Sequence, residues 1–292
     1  NNVFLYIWRK CFMEYKVNND TTLLSFLLEQ TSKKRNELKN LLKFERIYVD
    51  GHIQTHYAYP LKKGQIVSIG KKKAELPFPI VYEDQEIIVI DKPCGLLSEA
   101  TDKESQKTAY MIIKTYLSKK KEKIFLVHRL DQYTSGLLMF VKSQKLYDLL
   151  THHWNQYVKT RGYVAIVEGH MKKTHGTIDN YLCESKTQNI YITNKRHGKR
   201  AITHYRVIAS SSQYSLLEIY LDTGRKNQIR VHLSSLHHPI VGDDKYGASC
   251  NPIKRLGLHA HELMFIHPLT QREMRFVSPT PQVFESLFKK RK

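Results

Sequence analysis

The stretch His128–Gly136 reads HRLDQYTSG and lies between two apolar runs, Ile124–Val127 and Leu137–Val141. Short apolar runs bounded by turn-forming residues are typical of buried strands, so the stretch is predicted to be a tight connection at a strand end. It presents a cation, Arg129, beside a carboxylate, Asp131. A carboxylate in that setting can serve as a nucleophile or as a general acid or base. The alternative is an aspartate that only caps the turn or pairs with the arginine, and the stretch by itself leaves both open.

Charge is the strongest signal in the composition. The 292 residues include 47 Lys and Arg against 27 Asp and Glu, which gives a formal net charge of +20. An excess of that size is typical of proteins that bind a polyanion, either nucleic acid or an anionic membrane, although a merely soluble basic protein is the simpler alternative. No apolar stretch approaches the roughly 20 residues that a membrane span needs, so nucleic acid is the favoured partner and no membrane contact is expected.

The sequence carries no signature of a metal or a nucleotide cofactor. Its four cysteines form no CxxC pair and no His/Cys cluster with zinc spacing, which predicts a reducing, cytoplasmic environment and no structural metal. A metal site at His232, His237 and His238 is disfavoured because no carboxylate or cysteine pattern accompanies them. Neither a P-loop nor a dinucleotide fingerprint is present.

The order of predicted elements indicates a small domain followed by a large one. Residues 1–15 are interpreted as an N-terminal extension, because Met13 is the first methionine. Residues 16–70 are predicted to form a compact basic unit with two short helices and a hairpin that turns at Asp50-Gly51. Residues 71–79 are predicted to be a basic, proline-marked linker, and residues 80–292 one large domain.

The large domain is predicted to mix strands and helices without regular βαβ alternation. That mixture favours an α+β fold with a mixed, mainly antiparallel central sheet. Beyond the two runs around Asp131, strands are predicted at 80–82, 87–90, 163–167, 190–193, 201–208 and 216–221, and helices at 107–118, 143–157, 227–236 and 283–289.

Three motifs of the large domain together resemble the RluA family of RNA pseudouridine synthases, and its RluD-like members in particular. They are HRLDQYTSG at 128–136, TRGYVAIVEG at 160–169 and TGRKNQIRVH at 223–232. A fourth stretch, from 256 to 268, resembles the family's final motif and is interpreted as mainly structural. The resemblance implies the pseudouridine synthase fold and an isomerase that converts uridine in RNA to pseudouridine without a cofactor or metal.

The resemblance also implies roles for single residues. Asp131 matches the family's nucleophile, Arg129 the arginine that enters the RNA stack as the uridine flips out, and Tyr163 the tyrosine that stacks on the target base. Flipping is needed because a stacked base hides its glycosidic carbon. Arg230 matches the arginine that pairs with the catalytic aspartate and keeps it ionised. Further RNA contacts are expected at Arg161, where lysine is usual, at Arg225, and at Asn227, where the family often has histidine.

Two basic segments outside these motifs are expected to contact RNA. In the small domain, whose element pattern resembles the S-four-like RNA-binding module, the second helix is basic. In the large domain, residues 186–206 contain six Lys and Arg, two interleaved tyrosines and no Asp or Glu, which suits a surface that follows an RNA backbone. A plain solvated face is the alternative for each. The residues expected to bind RNA there are Lys33, Lys34, Arg35, Lys195, Arg196, Lys199 and Arg200.

We therefore expect a monomeric, cytoplasmic RNA pseudouridine synthase with a small N-terminal α/β RNA-binding domain. Family members that carry the S-four-like module often act on large-subunit rRNA, so that RNA is the leading substrate, and tRNA stays open. Two different functions also stay open. A catalytically silent ribosome-assembly factor would share the charge but would not need Asp131, Tyr163 and Arg230 together. A base-excising glycosidase would also use a carboxylate and base flipping, but it would release uracil.

Overall fold

The computed structural model describes residues 12–43, 46–70, 76–100, 108–118 and 122–288. They divide into two compact units, one that ends at Leu76 and one that begins at Pro77. The first eleven residues and the basic part of the expected linker, residues 71–73, lie outside the described residues.

The small unit contains antiparallel strands and two helices. Its described elements are β1 (Phe12–Lys16), β2 (Thr21–Thr22), α1 (Leu23–Gln30), α2 (Arg35–Lys43), β3 (Ile47–Val49), β4 (His52–Ile53), β5 (Pro60–Leu61) and β6 (Ile66–Gly70). One sheet has the order β1-β6-β3-β4, and β2 pairs with β5. Leu23 and Leu27 of α1 pack with Leu38 of α2 and with Ile47 and Val67 of the sheet, so the unit has its own apolar core.

Two sequence predictions meet the structure in this unit. The hairpin is confirmed: Asp50 and Gly51 have φ angles of 49° and 82°, the left-handed pair that a two-residue turn between twisted strands needs. The start of the domain was placed too late. Strand β1 pairs with β6 from Phe12 opposite Gly70 to Lys16 opposite Ile66, so residues 12–15 belong to the sheet and not to an extension.

The large unit is organised around one extended sheet. Its described strands are β7 (Ile80–Glu83), β8 (Ile87–Lys92), β9 (Phe125–Leu126), β10 (Ser135–Val141), β11 (Val158–Glu168), β12 (His175–Glu184), β13 (Ile190–Thr193), β14 (Lys199–Ser210), β15 (Tyr214–Leu221), β16 (Leu258–Ile266) and β17 (Glu273–Val277). The sheet order is β13-β12-β14-β15-β11-β16-β10-β8-β7, with β17 on β16 and β9 on β10.

Five described α-helices accompany this sheet. They are α3 (Ala109–Ser118), α4 (Gln144–His152), α5 (Trp154–Tyr157), α6 (Gln228–Ser235) and α7 (Gln282–Glu285). Apolar clusters on the strands pack against α4 through Leu146 and Leu150, and against α6 through Ile229 and Leu233. None of the described helices has the length and apolar character needed to traverse a bilayer.

Strands β10 and β16 form the one parallel pair among the described strands. Ser135 pairs with His259 and Gly136 with Ala260. All other pairings between the described strands are antiparallel, which confirms the predicted α+β fold with a mixed, mainly antiparallel sheet. All seven residues of β10 are buried, as its unbroken apolar run indicated. Strand β10 begins directly after the Asp131 turn, so this junction positions the turn.

Candidate active site

A cleft of about 900 Å³ on the large unit brings together seven of the predicted site residues. They come from the turn before β10, from β11, and from the loop and first turn of α6. These residues are Arg129, Asp131, Arg161, Tyr163, Arg225, Asn227 and Arg230.

Asp131 lies in the tight turn that the sequence predicted. The backbone N–H of Thr134 donates to its carbonyl oxygen at 3.1 Å. The carboxylate is 32% exposed, and its Oδ2 lies 3.7 Å from Nη1 of Arg230. Burial raises the pKa of Asp131 above its usual value, although Arg230 and then Arg129 oppose the shift. The arginines therefore offset only part of the effect of burial, and the carboxylate is more basic than an exposed one.

Two side chains, Lys92 and His128, hold this turn in place. Lys92 is fully buried, and its Nζ donates to three carbonyl oxygens, one of which is that of Gln132 at 3.0 Å. Nε2 of His128 accepts a hydrogen bond from the backbone N–H of Met139 at 3.0 Å. Burial lowers the pKa of His128 to about 4, so the ring is neutral and can accept.

Arg230 has a closer partner than Asp131. Its Nε and Nη2 each donate to the carboxylate of Asp243 at 2.7 Å, and the side chain of Asp243 is only 1% exposed. Nη1 donates to Oδ1 of Asn227 at 3.1 Å, and the guanidinium lies 4.9 Å from the ring centroid of Tyr246. Asp243 thus fixes the guanidinium by a bidentate pair, and the remaining Nη1 faces Asp131. The sequence reasoning assigned no role to Asp243 or Tyr246.

Tyr163 lies on β11, half-buried, and lines the same cleft. Burial raises the pKa of Tyr163 to about 12, with Arg161 opposing the shift and Asp131 adding to it. The phenol is therefore protonated at neutral pH. It can stack on a base and donate a hydrogen bond, but it can remove a proton only after losing its own.

Arg161 contacts the backbone rather than facing open solvent. Its Nη2 donates to the carbonyl oxygens of Leu221 at 3.1 Å and Asp222 at 2.7 Å. A Cβ at Gly224 would lie 2.7 Å from Nη1 of Arg161, so this glycine allows the close approach. Arg161 thus stabilises the start of the loop that leads to α6. The sequence analysis had predicted an RNA contact for this side chain.

The loop before α6 is held by Gln228, which the sequence reasoning missed. Its Oε1 accepts from Oγ1 of Thr223 at 2.8 Å and from the backbone N–H of Arg225 at 3.0 Å. Its Nε2 donates to Oγ1 of Thr203 on β14 at 2.9 Å. Asn227 has φ 52°, a left-handed conformation that asparagine tolerates better than most residues. The only sequence signal for Gln228 was its place in the family motif at 223–232.

The rim of the cleft carries two ion pairs. Nη1 of Arg129 lies 2.7 Å from Oε1 of Glu99, and 65% of the arginine side chain is exposed. Lys226 pairs with Glu184, and both line the cleft. A phosphate entering the cleft would therefore exchange with carboxylates that already neutralise these cations.

The remaining predicted RNA contacts lie outside the cleft. Lys195, Arg196, Lys199 and Arg200 are exposed at the turn from β13 into β14, and Arg200 pairs with Asp179 at 2.5 Å. Lys33, Lys34 and Arg35 belong to the small unit, where Arg35 begins α2. Across the part of the chain that the structure describes, no three His, Cys, Asp or Glu side chains are grouped as a metal site.

The motifs that build this cleft match a known protein family. The model of the RNA pseudouridylate synthase family matches residues 86–235, about half of the chain, including the Asp131 turn, Tyr163 and Arg230. The chain belongs to the RNA pseudouridylate synthase family. The fold class and the isomerase activity expected from the motifs are thereby confirmed, and the protein is an RNA pseudouridine synthase.

Relatives of this synthase share most of its length. The uncharacterized RNA pseudouridine synthase YjbO of Bacillus subtilis is 34% identical over 242 residues, which cover 79% of this chain and 86% of the relative. The ribosomal large subunit pseudouridine synthase D of Vibrio cholerae is 32% identical over 275 residues, covering 86% and 85%. The solved structure of human RNA pseudouridylate synthase domain containing 4 is 25% identical, with a TM-score of 0.57, and covers 70% of this chain and 89% of its own.

The cleft of this pseudouridine synthase combines three kinds of side chain. They are the partly exposed carboxylate of Asp131, the guanidinium of Arg230 that Asp243 holds, and the protonated ring of Tyr163. Its volume accommodates a single extruded nucleotide, since sites of about 300–1,000 Å³ hold ligands of that size.

Proposed function

We propose that this synthase isomerises a uridine of large-subunit rRNA, with Asp131 as the nucleophile. The observation that carries the nucleophile assignment is the position of Asp131: a partly exposed carboxylate in the cleft, 3.7 Å from an arginine that Asp243 holds in place. The substrate assignment is supported by the large-subunit synthase of Vibrio cholerae, which matches 86% of this chain. A tRNA substrate is the alternative.

The reaction rearranges bonds within one nucleotide. The bond between ribose C1′ and base N1 breaks, the base turns, and a new bond forms between C1′ and C5. The proton on C5 leaves and N1 gains one, so the product is an isomer and no oxidant or energy source is needed. Asp131 attacks the ribose, attacks the base, or first removes a sugar proton, and all three first steps start from the same ionised carboxylate.

Base flipping is the task we assign to Arg129. The target uridine must leave the stack before its glycosidic carbon can be reached. Arg129 is largely exposed at the mouth of the cleft, two residues before Asp131. Its pair with Glu99 is a surface ion pair, which holds the side chain weakly enough for RNA to displace the glutamate.

RNA contacts outside the cleft would hold the substrate near Asp131. The exposed cations of the β13–β14 turn suit phosphate binding because no acidic residue interrupts residues 186–206. The small unit, with two helices on a small antiparallel sheet, suits an S-four-like RNA-binding role. The monomeric state and the cytoplasmic location stay predictions.

The test is to incubate the protein with unmodified transcripts of large-subunit rRNA, small-subunit rRNA and tRNA and to map pseudouridine in each. Modification of the large-subunit transcript alone is expected. Modification of tRNA alone would show that tRNA is the substrate instead of rRNA. Release of free uracil would indicate a glycosidase. The Asp131→Asn variant should bind RNA but form no pseudouridine. Turnover in that variant would remove the nucleophile assignment.

A further inference from the structure

A continuous chain of hydrogen bonds lies behind the Asp131 turn, outside the cleft. Arg255 Nη2 lies 2.5 Å from Ser135 Oγ, which lies 2.8 Å from His259 Nδ1. His259 Nε2 lies 3.1 Å from Ser278 Oγ, which lies 2.7 Å from Asp91 Oδ2. The three central side chains belong to residues that are each less than 5% exposed. We call these five residues the buried polar chain.

The two ends of the buried polar chain fix the direction of every bond. A guanidinium can only donate hydrogen bonds, and an ionised carboxylate can only accept them. Ser278 gives its single O–H to Asp91, so its oxygen accepts from Nε2–H of His259. Nδ1 of His259 then accepts from Ser135, whose oxygen accepts from Arg255. Burial lowers the pKa of His259 to about 4, so the neutral ring that this order requires is the form present at pH 7.

The buried polar chain is not a second nucleophile. Serine, histidine and aspartate occur together in it, but the hydroxyl of Ser278 separates His259 from Asp91. Ser135 is 4% exposed, already accepts from Arg255, and does not line the cleft. No substrate atom could reach it without unfolding this part of the sheet.

Its location instead ties the exit of the Asp131 turn to the surrounding strands. Ser135 is four residues after Asp131 and begins β10. The antiparallel ladder that joins β10 to β8 begins at Gly136, and the parallel ladder to β16 has only two residue pairs, so few backbone bonds fix Ser135 itself. The buried polar chain adds bonds from Ser135 to β16, to the segment after β17 and to β8. At the other end of the turn, Lys92 holds the carbonyl of Gln132.

We propose that the buried polar chain holds the nucleophile in position. Ser135 is the positioning residue, because it connects the buried polar chain to the end of the Asp131 turn. This rests on the proposed role of Asp131. A nucleophile must be held to a fraction of an ångström, and a displacement of about 1 Å can lower the rate by about a hundredfold. Losing the hydroxyl of Ser135 would free the turn's exit without touching any group that binds RNA.

The first experiment compares Ser135→Ala with Ser215→Ala on the RNA that the wild-type protein modifies. Ser215 is a matched control: it is fully buried, donates to the carbonyl of Gly169 at 2.9 Å and accepts from the N–H of Met171 at 3.0 Å, but contacts nothing in the turn. At a temperature where both are folded, kcat of Ser135→Ala should fall about tenfold with KM within about twofold, and kcat of Ser215→Ala should stay within about twofold.

The second experiment asks which link of the buried polar chain matters. Asparagine at 259 places its side-chain amide near the position of Nδ1 and keeps the bond to Ser135, whereas glutamine reaches the position of Nε2 and keeps the bond to Ser278. His259→Asn should therefore retain more turnover than His259→Gln. If Ser135→Ala does not fold, Ser278→Ala cuts the same chain and is compared with Ser215→Ala in the same way.

Equal kcat in Ser135→Ala and Ser215→Ala would overturn the proposal, as would a loss that follows the unfolded fraction alone. An equal or reversed order of the two His259 variants would overturn the assignment to Ser135. Asp131→Asn in the same assay separates the two proposals. If it is inactive while Ser135→Ala is normal, only the buried polar chain is rejected, and if it turns over, the nucleophile assignment is rejected.

Discussion

The pKa of Asp131 depends on two opposing influences, burial and nearby positive charge. Burial raises its pKa, and Arg230 and Arg129 bring it back only in part. In the mechanism proposed above the attacking form of Asp131 is the carboxylate, so a raised pKa means that activity is lost at a higher pH on acidification than for an exposed aspartate. The proposed nucleophile is therefore more basic than an exposed aspartate, and the enzyme is expected to lose activity at a less acidic pH.

The pH dependence of turnover follows from this shift. We expect the acid limb of kcat/KM to lie above the ordinary aspartate pKa of about 3.9. The measurement is kcat/KM against pH on the modified RNA. RNA binding by Asp131→Asn over the same range is the control, because that variant lacks the titrating carboxylate. A limb at or below about pH 4 would contradict the upward shift.

Replacing Asp243 should destabilise the protein strongly, because Asp243 forms the buried ion pair that holds Arg230. Asp243→Asn breaks a buried bidentate pair and leaves Arg230 with only the more distant carboxylate of Asp131, 3.7 Å away, which should cost about 3–5 kcal/mol of stability. Asp179→Asn breaks an exposed pair with Arg200, which solvent screens, and should lower the urea midpoint far less. Urea unfolding of the two variants provides the comparison. Equal midpoints would mean that Asp243 does not anchor Arg230.

Element-level structure shows where sequence patterns succeed and where they fail. The apolar run Leu137–Val141 predicted a buried strand because burial on both faces leaves a continuous apolar signature. The sequence analysis did not predict strand β12. Only Ile178 and Leu182 of its ten residues are buried, so the strand shows no alternation of apolar and polar residues. The helix predicted at 143–157 is interrupted at His153, which has φ −124° and ψ 33°.

The candidate site shows the same division. The Asp131 turn, Tyr163 and Arg230 could be predicted because each sits in a compact motif. Asp243 could not, because its partner is thirteen residues away and an irregular loop, residues 236–242, separates Asp243 from the end of α6. Contacts made through an irregular loop leave no pattern that spacing can reveal.

Gly136 is required by the junction of β10 with β16. It has φ 112°, and a Cβ there would lie 2.1 Å from the carbonyl oxygen of Ala260. Gly136→Ala must therefore separate the two strands and should destabilise the fold by more than the roughly 1–2 kcal/mol that a left-handed alanine costs where space is free. Gly247→Ala, at φ 90° with no atom within 4 Å, shows the backbone cost alone. Thermal unfolding of both variants is the measurement, and equal losses would contradict the steric argument.

Lys92 connects β8 to the Asp131 turn. Its lowered pKa makes the stability of the fold depend on pH. Burial lowers its pKa to about 8, from 10.5 in the unfolded chain. The unfolded state then binds more protons than the folded state between these values, so the contribution of Lys92 to stability rises as pH rises from 8 towards 10.5. We expect the free energy of unfolding of Lys92→Met, measured in urea, to fall further below that of the wild type as pH rises from 8 to 10. A constant difference would contradict the lowered pKa.

At the scale of the whole molecule, charge governs the encounter with RNA. The net charge of +20 includes paired cations at the cleft and further cations exposed on the surface. Each cation that neutralises a phosphate releases counterions, and this makes the affinity fall with salt. The salt slope therefore counts the cations that touch RNA, whereas net charge alone does not.

The β13–β14 turn can be tested by this slope. Lys195→Ala combined with Arg196→Ala should weaken RNA binding and reduce the slope of log Kd against log salt by about 1.4, since each single-strand phosphate contact contributes about 0.7. Turnover at saturating RNA should be unchanged because neither residue lines the cleft. Lys172→Ala with Lys173→Ala removes the same charge from another exposed site and should leave the slope within about 0.3 of the wild-type value. If both pairs reduce the slope equally, the attraction comes from net charge, and the turn is not a specific RNA contact.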